Sequence, residues 1–276
     1  MATLLVLAPE ASADLLTPES RGSSNANDID TLYKITLYLG LVIFLLVESV
    51  LIYSLIKFRA RRDGPEAAQI RGNTPLEIGW TLAAALILVV LATVTFVYLP
   101  DIKDPPDSRA DGLEIAEGSD YATINQKEPP SGKALRIRVN AQQYLWRYDY
   151  EDQEKQLFSF HTLYAPVNTT VTLRVESQDV VHSWWVPKLG GKVDATPGHD
   201  NETWFRADDV GTYDGVCAEL CGEGHADMRT RVVVLPVDEY EAWVEQQTAD
   251  IEEAQEGLAE QREEREQEGE ASEGAD

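Results

Sequence analysis

Positive charge is scarce in this sequence. Its 276 residues carry 23 lysines and arginines against 48 aspartates and glutamates, which gives a formal net charge of −25 and a pI near 4.4. Nucleic acid is excluded as a partner because its phosphates would be repelled. Acidity across a whole folded domain suggests a surface that stays hydrated in high salt, although a chain that repels anionic lipid or attracts a basic partner would look similar. A halophilic source is therefore a hypothesis.

Sulfur is also scarce, and nearly all of it lies in one segment. Both cysteines of the chain and its only methionine besides Met1 fall in Cys217–Met228, CAELCGEGHADM, which also contains His225. Thiolate, imidazole and thioether together favour copper or another thiophilic metal over magnesium or calcium, which prefer carboxylates and carbonyls. The spacing C-x3-C-x3-H-x2-M differs from the C-x2-C of zinc sites and redox motifs, so zinc is the less favoured interpretation.

Four donors in one loop leave a metal incompletely surrounded, so a histidine from elsewhere is expected. The candidates are His161, His182 and His199. We favour His182 because it lies in DVVHSWWVP, whose alternating apolar residues and final proline predict a buried strand running into a turn. A blue-copper site needs one cysteine, two histidines and a weak methionine, and the second cysteine here allows two coppers bridged by two thiolates. The alternative is a plain disulfide, with the histidines as core residues.

Two long apolar runs predict a transmembrane hairpin over residues 35–99. Residues 35–56 and 78–99 are each long enough to cross a bilayer, and Glu48 is the only charged residue within them. The connection between Lys57 and Glu77 carries five basic residues, so the positive-inside rule places it in the cytoplasm. The second run is closed by Pro100-Asp101. Both the N-terminal segment and the C-terminal domain are then extracytoplasmic.

The remaining segments are predicted to be flexible or exposed. Residues 1–34 are expected to form a flexible tail, and they make a poor signal peptide because the basic region is missing and the apolar core is short, although a cleaved leader is an alternative. Residues 100–133 are rich in Asp, Pro, Gly and Ser, which predicts an exposed linker. Residues 237–247 predict an amphipathic helix with Trp243 inward. Residues 248–276 predict an acidic tail, either a solvated helix or disordered, rather than a docking site for a basic partner.

Between the linker and the last helix, the hydrophobic period changes to two. Short alternating runs separated by turn residues predict an all-β domain over 134–247, an antiparallel sandwich or barrel. The runs are 135–141, 144–150, 170–177, 181–187, 202–207, 211–217 and 229–236. A copper-binding Greek-key domain of this kind is cupredoxin-like. The predicted fold is therefore a membrane α-helical hairpin followed by a cupredoxin-like domain.

These residues resemble subunit II of the haem-copper cytochrome c oxidases, from about residue 30 to about residue 245, and a halophilic archaeon is the hypothetical source. The family carries a binuclear copper centre called CuA. By resemblance, Cys217 and Cys221 bridge the two coppers, His182 and His225 each bind one, Met228 is a weak axial ligand and Glu219 supplies a backbone carbonyl. The resemblance also implies that the Glu219 side chain reaches a magnesium ion shared with subunit I.

The resemblance assigns further roles outside the metal loop. Glu77 would lie at the mouth of a proton path, the alternative being stabilisation of a helix dipole. Tyr144 and Trp146 match the aromatic stretch where electrons enter from cytochrome c, although alternating aromatics are more often core residues. Tyr144 replaces the usual first tryptophan, so a small blue copper protein is an alternative donor. His199 stands where arginine is common, and Glu48 is expected to pack against a neighbouring subunit.

The function implied is that of the electron-accepting subunit of a terminal oxidase. It would lie in the plasma membrane with subunit I and a subunit III, and would pass electrons from a soluble donor to haem in subunit I, where oxygen is reduced to water and protons are pumped. The enzyme is the whole complex, because the oxygen-reducing site lies in another subunit. Alternatives are a membrane-tethered copper-binding or copper-delivery protein and the CuA subunit of a nitric oxide reductase. A quinol oxidase subunit II would lack the copper ligands.

Overall fold

The computed structural model describes residues 22–59, 68–115, 128–151, 153 and 155–273, with side chains described as far as residue 267. These residues fall into two units. One contains Asp28–Ile102, and the other contains the segment before Asp28 together with the chain from Lys103 onward. We describe each unit by itself.

The smaller unit contains all but the ends of two long helices, α1 (Ser24–Lys57) and α2 (Thr74–Lys103). Both are long and apolar enough to cross a membrane, and none of the residues in their most apolar stretches is buried inside the chain. A buried core helix of a soluble protein would not leave these side chains exposed. The second helix continues past Pro100, where the prediction ended it, because a proline near the end of a helix removes only one backbone donor. Residues 60–67, which include part of the predicted basic loop, lie outside the described residues.

The predicted flexible tail differs from the structure in its last part, since α1 begins at Ser24 rather than at residue 35. Ser23 and Asn25 are buried within the larger unit. The backbone N–H of Arg206 donates to Ser23 Oγ at 3.2 Å, and Asn25 Nδ2 donates to the Trp204 carbonyl at 2.8 Å. Asn25 Oδ1 also accepts from the N–H of Ala26 at 2.8 Å and from the Ser23 hydroxyl at 2.6 Å. These polar residues are therefore ordered by contacts that their composition does not reveal. Residues 1–21 lie outside the described part of the chain.

The larger unit contains ten strands in two five-stranded sheets. The strands are β1 (Leu135–Gln142), β2 (Leu145–Tyr150), β3 (Phe158–Phe160), β4 (Thr162–Pro166), β5 (Val171–Ser177), β6 (His182–Trp185), β7 (Val193–Ala195), β8 (Asn201–Phe205), β9 (Gly211–Cys217) and β10 (Arg229–Leu235). One sheet has the order β3-β2-β1-β5-β8, and the other has the order β4-β10-β9-β6-β7. The all-β prediction is confirmed, with two corrections. The pairs β1–β5 and β4–β10 are parallel, and β3, β4 and β7 were not predicted because strands of three to five residues show too little alternation.

Alternate residues of the strands form the core. In β5, for example, Val171, Leu173 and Val175 are at most 1% exposed and the residues between them are not buried. One set of polar groups in this core is paired across the two sheets. The Tyr148 hydroxyl on β2 forms a short hydrogen bond with Thr230 on β10 and accepts from Trp184 Nε1 on β6 at 3.1 Å. One hydroxyl thus joins three strands.

The predicted linker is partly packed onto this unit. Pro106 O accepts from the Thr170 hydroxyl at 2.7 Å, and the N–H of Leu113 donates to Thr169 Oγ1 at 2.8 Å. Because the two residues before β5 supply these partners, residues 104–115 are not a free linker. Residues 116–127 are not described.

The last helix, α3 (Val237–Glu273), is longer than the predicted residues 237–247. Trp243 stacks on Tyr164 of β4 with ring centroids 4.5 Å apart, so it faces inward as predicted. The acidic segment that follows is helical as far as Glu273, in keeping with the high helix propensity of its many Glu, Gln, Ala and Arg residues. Of the two alternatives for the tail, the structure shows the solvated helix.

Candidate metal centre

The sulfur-rich loop connects two neighbouring strands of the second sheet. Cys217 ends β9 and Arg229 begins β10, and the N–H of Cys217 donates to the Met228 carbonyl at 3.0 Å to close the loop. Strand β6 pairs with β9 on its other side, with Trp184 opposite Cys217. His182, at the start of β6, is therefore brought to the loop by strand pairing rather than by sequence proximity.

The structure brings the predicted sulfur and imidazole donors together. The two thiol sulfurs lie 3.8 Å apart. His182 Nδ1 is 3.9 Å from Cys217 Sγ, and His225 Nδ1 is 3.7 Å from Cys221 Sγ. Met228 Sδ lies 3.9 Å from Cys221 Sγ, and the Glu219 carbonyl oxygen lies 3.3 Å from Cys217 Sγ. Each thiol thus has an imidazole of its own and one further donor.

The site is closed to solvent on the side of the sandwich. His182 and Met228 are 0% exposed and both cysteines are 5% exposed, whereas the side chain of Glu219 is exposed. Both thiols are free, so the disulfide alternative is not the state of this structure. Burial, followed by the neighbouring Cys217, raises the pKa of the Cys221 thiol to about 11. A buried thiol that resists ionisation fits a bound cation, which would stabilise the Cys221 thiolate.

A metal-binding group of His182, Cys217 and Cys221 has all its donor atoms within 4.8 Å of one another. Soft sulfur and imidazole donors of this kind are consistent with copper. His161 lies between β3 and β4, and His199 lies in the turn before β8; neither belongs to this group among the described residues.

Asp179 is a residue of the site that the sequence reasoning missed. Its Oδ1 lies 2.9 Å from His182 Nε2 and accepts from the N–H of Val180 at 2.6 Å, while its Oδ2 accepts from the N–H of Gln143 at 2.7 Å. Burial opposes ionisation, but these hydrogen bonds lower the pKa of Asp179 to about 2. An ionised carboxylate at Nε2 fixes the proton there and leaves Nδ1 free to face the thiols. The only sequence signal was a carboxylate three residues before the histidine.

The two aromatic residues expected to receive electrons occupy different places. Tyr144 is 37% exposed and covers the loop, since a Cβ added at Gly224 would lie 2.6 Å from its Cδ2 atom. Trp146 is fully buried, and its ring lies 6.1 Å from that of His182 at an interplanar angle of 66°. Only Tyr144 is therefore accessible to a soluble partner in the chain as described.

Glu77 lies in the first turn of α2, as the sequence predicted. Its Oε1 accepts from the N–H of Asn73 at 3.0 Å, and Asn73 Oδ1 lies 3.3 Å from the N–H of Leu76. This reciprocal arrangement caps the helix start. The capping contacts agree with the helix-stabilising alternative and leave a proton-conducting role as a prediction.

The fold and the site define a class: a membrane-anchored, cupredoxin-like metal-binding protein. Two family models match the chain, the transmembrane domain of cytochrome c oxidase subunit II over residues 14–97 and its periplasmic domain over residues 155–235. The chain therefore belongs to the cytochrome c oxidase subunit II family. It is a membrane protein with two spans and a periplasmic domain, and a subunit of a cytochrome c oxidase complex.

Individual relatives agree with this assignment. The chain is 36% identical over 223 residues to cytochrome c oxidase subunit 2 of Alkalihalophilus pseudofirmus, covering 80% of this chain and 58% of that protein. It is 34% identical to that of Thermostichus vulcanus, covering 85% of this chain and 79% of that protein. It is also similar to the crystal structure of the periplasmic domain of subunit II of cytochrome oxidase of Bradyrhizobium japonicum, with 33% identity, a TM-score of 0.41, and coverage of 43% of this chain and 96% of that one. These relatives give no support to a halophilic archaeal source, which stays a hypothesis.

Proposed function

We propose that this chain is the electron-accepting subunit of its oxidase, and that its site holds a binuclear copper centre of the CuA type. The observation that carries the proposal is the pairing of donors: two free thiols lie 3.8 Å apart, and each has a separate imidazole within 3.9 Å. A single blue copper needs one cysteine and two histidines. A second thiol with its own histidine is a ligand set for two metals.

The proposed roles follow the contacts of each side chain. Cys217 and Cys221 would bridge the metals, His182 and His225 would each bind one, Met228 would be a weak axial ligand and Glu219 would contribute its carbonyl oxygen. When bound, copper supplies the ability to take up and release single electrons. The exposed Glu219 side chain remains available for the proposed magnesium shared with subunit I.

The protein's own contacts would hold the proposed donors in place. Asp179 orients His182, two strands hold the ends of the loop, and the buried cysteines and Met228 exclude water from one side. Donors that are already in place move little when the charge of a metal changes, so the barrier to electron transfer stays low. This property suits a subunit that receives electrons and passes them to haem in subunit I, where oxygen would be reduced to water with proton pumping.

The proposed donor is a soluble protein, either cytochrome c or a small blue copper protein, that docks on the extracytoplasmic face. Tyr144 is the proposed point of contact because it is exposed and lies against the ligand loop. The proposed topology places the N-terminal segment and the β domain outside the plasma membrane and the basic connection in the cytoplasm. Subunit I and a subunit III are the proposed membrane partners.

The copper assignment is tested on the full-length chain in detergent. After loading with copper, we expect two coppers per chain and a paramagnetic resonance spectrum in which one unpaired electron is shared by two copper nuclei. Cys221→Ser should abolish that signal, whereas His161→Ala, a histidine outside the donor group of the described residues, should leave it intact. One copper or one zinc per wild-type chain, or a Cys217–Cys221 disulfide that resists reduction, would contradict the proposal and favour a copper-handling or structural role.

The role of the complex is tested with the assembled enzyme. Consumption of oxygen with a reduced soluble donor is expected, whereas consumption of nitric oxide alone would assign the chain to a nitric oxide reductase. Glu77→Gln should slow proton uptake while leaving copper reduction unchanged. Unchanged turnover in that variant would restrict Glu77 to the helix cap seen in the structure.

A further inference from the structure

The turn between β1 and β2 contacts both segments that carry the proposed copper ligands. The side chain of Gln143 donates from Nε2 to the carbonyl oxygen of Cys221 at 2.6 Å, and the N–H of the same residue donates to Asp179 Oδ2 at 2.7 Å. Cys221 belongs to the loop after β9, and Asp179 belongs to the turn before β6. One residue therefore spans two ligand-bearing segments that are distant in sequence.

We infer that Gln143 is a positioning residue, which holds the Cys221 peptide and the Asp179 carboxylate in fixed places and so sets the distance between the two halves of the site. The inference rests on the proposed function. Asp179 carries the restraint to His182, whose Nε2 lies 2.9 Å from its other oxygen. The restraint on Cys221 is direct, because the carbonyl oxygen that accepts from Gln143 belongs to the proposed ligand residue itself.

The turn is a suitable fixed point. Its first strand, β1, lies in the middle of its sheet, with β2 on one side and β5 on the other. The N–H of Gln178 donates to the carbonyl of Ala141 at 3.0 Å, which ties the turn before β6 to the end of the same strand. The Cys221 peptide is followed by Gly222, whose φ of 127° is outside the range that other residues readily adopt. Because the backbone there has no strand partner, the amide of Gln143 is an external restraint on the loop.

Neighbouring Gln142 provides a matched control. Both glutamines are exposed, but within the described part of the chain the side chain of Gln142 has no hydrogen bond to the loop. Leucine has a similar size to glutamine and cannot donate. Gln143→Leu therefore removes the side-chain link to Cys221 and keeps the backbone N–H link to Asp179, whereas Gln142→Leu makes the same chemical change one residue away.

The test uses the full-length chain with two measurements. In the copper-loaded chain, Gln143→Leu is expected to release copper to a chelator roughly tenfold faster than the wild type and to change the copper hyperfine pattern, as loss of a hydrogen bond to a ligand residue does. In the metal-free chain, amides of residues 218–228 should exchange hydrogen faster in Gln143→Leu. Gln142→Leu should match the wild type in both measurements. Gln143→Glu keeps the size but presents an acceptor to the Cys221 carbonyl, so it should release copper at least as fast.

The outcomes separate this inference from the copper assignment. If the wild-type chain fails to bind two coppers while the metal-free loop still loosens in Gln143→Leu, the copper proposal fails and the positioning role stands. If the wild type binds two coppers and both Gln143 variants match it in release rate, spectrum and exchange, the positioning role is overturned. A Gln143→Leu variant that does not fold would leave the decision to Gln143→Glu, with the same criteria.

Discussion

The Asp179 carboxylate offers the sharpest test of how His182 is oriented, because its two oxygens have different partners. Oδ1 lies against His182 Nε2 and the N–H of Val180, and Oδ2 accepts from the N–H of Gln143. Asparagine has the same shape but only one acceptor oxygen. In Asp179→Asn, whichever way the amide is turned, its NH2 group faces a backbone or ring N–H and one of the two links is lost.

The size of the effect on unfolding free energy and on copper affinity depends on which hydrogen bond of Asp179 is lost. Removing a hydrogen bond to a charged, partly buried acceptor costs about 1–3 kcal/mol of unfolding free energy in either orientation. If the oxygen stays toward Gln143, His182 loses the partner that fixes its proton, and copper affinity should fall about 10–100-fold. That range corresponds to about 1.4–2.7 kcal/mol of binding free energy. If the oxygen stays toward His182, the hydrogen bond to Gln143 is lost instead. The free energy of unfolding then falls and the metal loop is held less firmly, but copper affinity falls less.

The assay has two parts, urea unfolding of the metal-free full-length chain and competition for copper against a chelator of known affinity. Asp214→Asn is the matched control, because that carboxylate pairs with Arg231 at 3.0 Å on the surface, with 77% of its side chain exposed. Exposed ion pairs contribute only about 0–1 kcal/mol, so the control should change little. If Asp179→Asn matched the control in both unfolding and copper affinity, the carboxylate would not orient His182 and the argument would be refuted.

Three further predictions concern the scaffold. Tyr148→Phe leaves the side chains of Thr230 and Trp184 buried without their hydrogen-bond partner, and it should lower the unfolding free energy by about 2–4 kcal/mol in urea titrations. A loss below that of an ordinary surface mutation would contradict this hydrogen-bond network. Gly224→Ala should destabilise by about 1–3 kcal/mol because its Cβ overlaps an aromatic ring, whereas Gly257→Ala, with open space in α3, should stabilise by about 0.5–1 kcal/mol; equal effects would refute this reasoning. Hydrogen bonds from Ser131 lower the pKa of Asp107, so its contribution to stability is present above the unfolded pKa of about 3.9 and is lost as pH falls through the folded pKa. As pH decreases from 6 to 2, the unfolding midpoint should fall less steeply in Asp107→Asn than in the wild type. Identical slopes in the two proteins would count against the contact between Asp107 and Ser131.

The donor atoms of the site could be predicted from sequence because the chain has so few of them. Four of the proposed side-chain ligands lie within twelve consecutive residues, Cys217–Met228, and His182 stands out by the alternating pattern around it. The supporting residues leave no such pattern. Gln143 and Cys221 are separated by 78 residues, and an exposed glutamine in a turn looks like any other surface residue.

The dependence on distant contacts also explains why part of the predicted flexible N-terminal tail is ordered in the structure. Ser23 and Asn25 have the composition of a disordered tail, and only folding of the β domain provides the Trp204 carbonyl, 179 residues away from Asn25, as a partner. Local composition predicts whether a segment can bury apolar surface by itself. It does not predict that a polar segment will be held by backbone groups of a distant strand.

The loop illustrates why distant contacts matter for function. A segment of eleven residues between β9 and β10 with two glycines would be mobile if it were held only at its ends. Here Tyr144 covers Gly222 and Gly224, and Gln143 holds the Cys221 carbonyl. Larger side chains at either glycine would push the tyrosine away, so the glycines serve close packing as well as backbone freedom. The sandwich thus holds the soft donors of a glycine-containing loop in place, which is what the proposed electron-accepting site requires in order to change charge without moving its ligands.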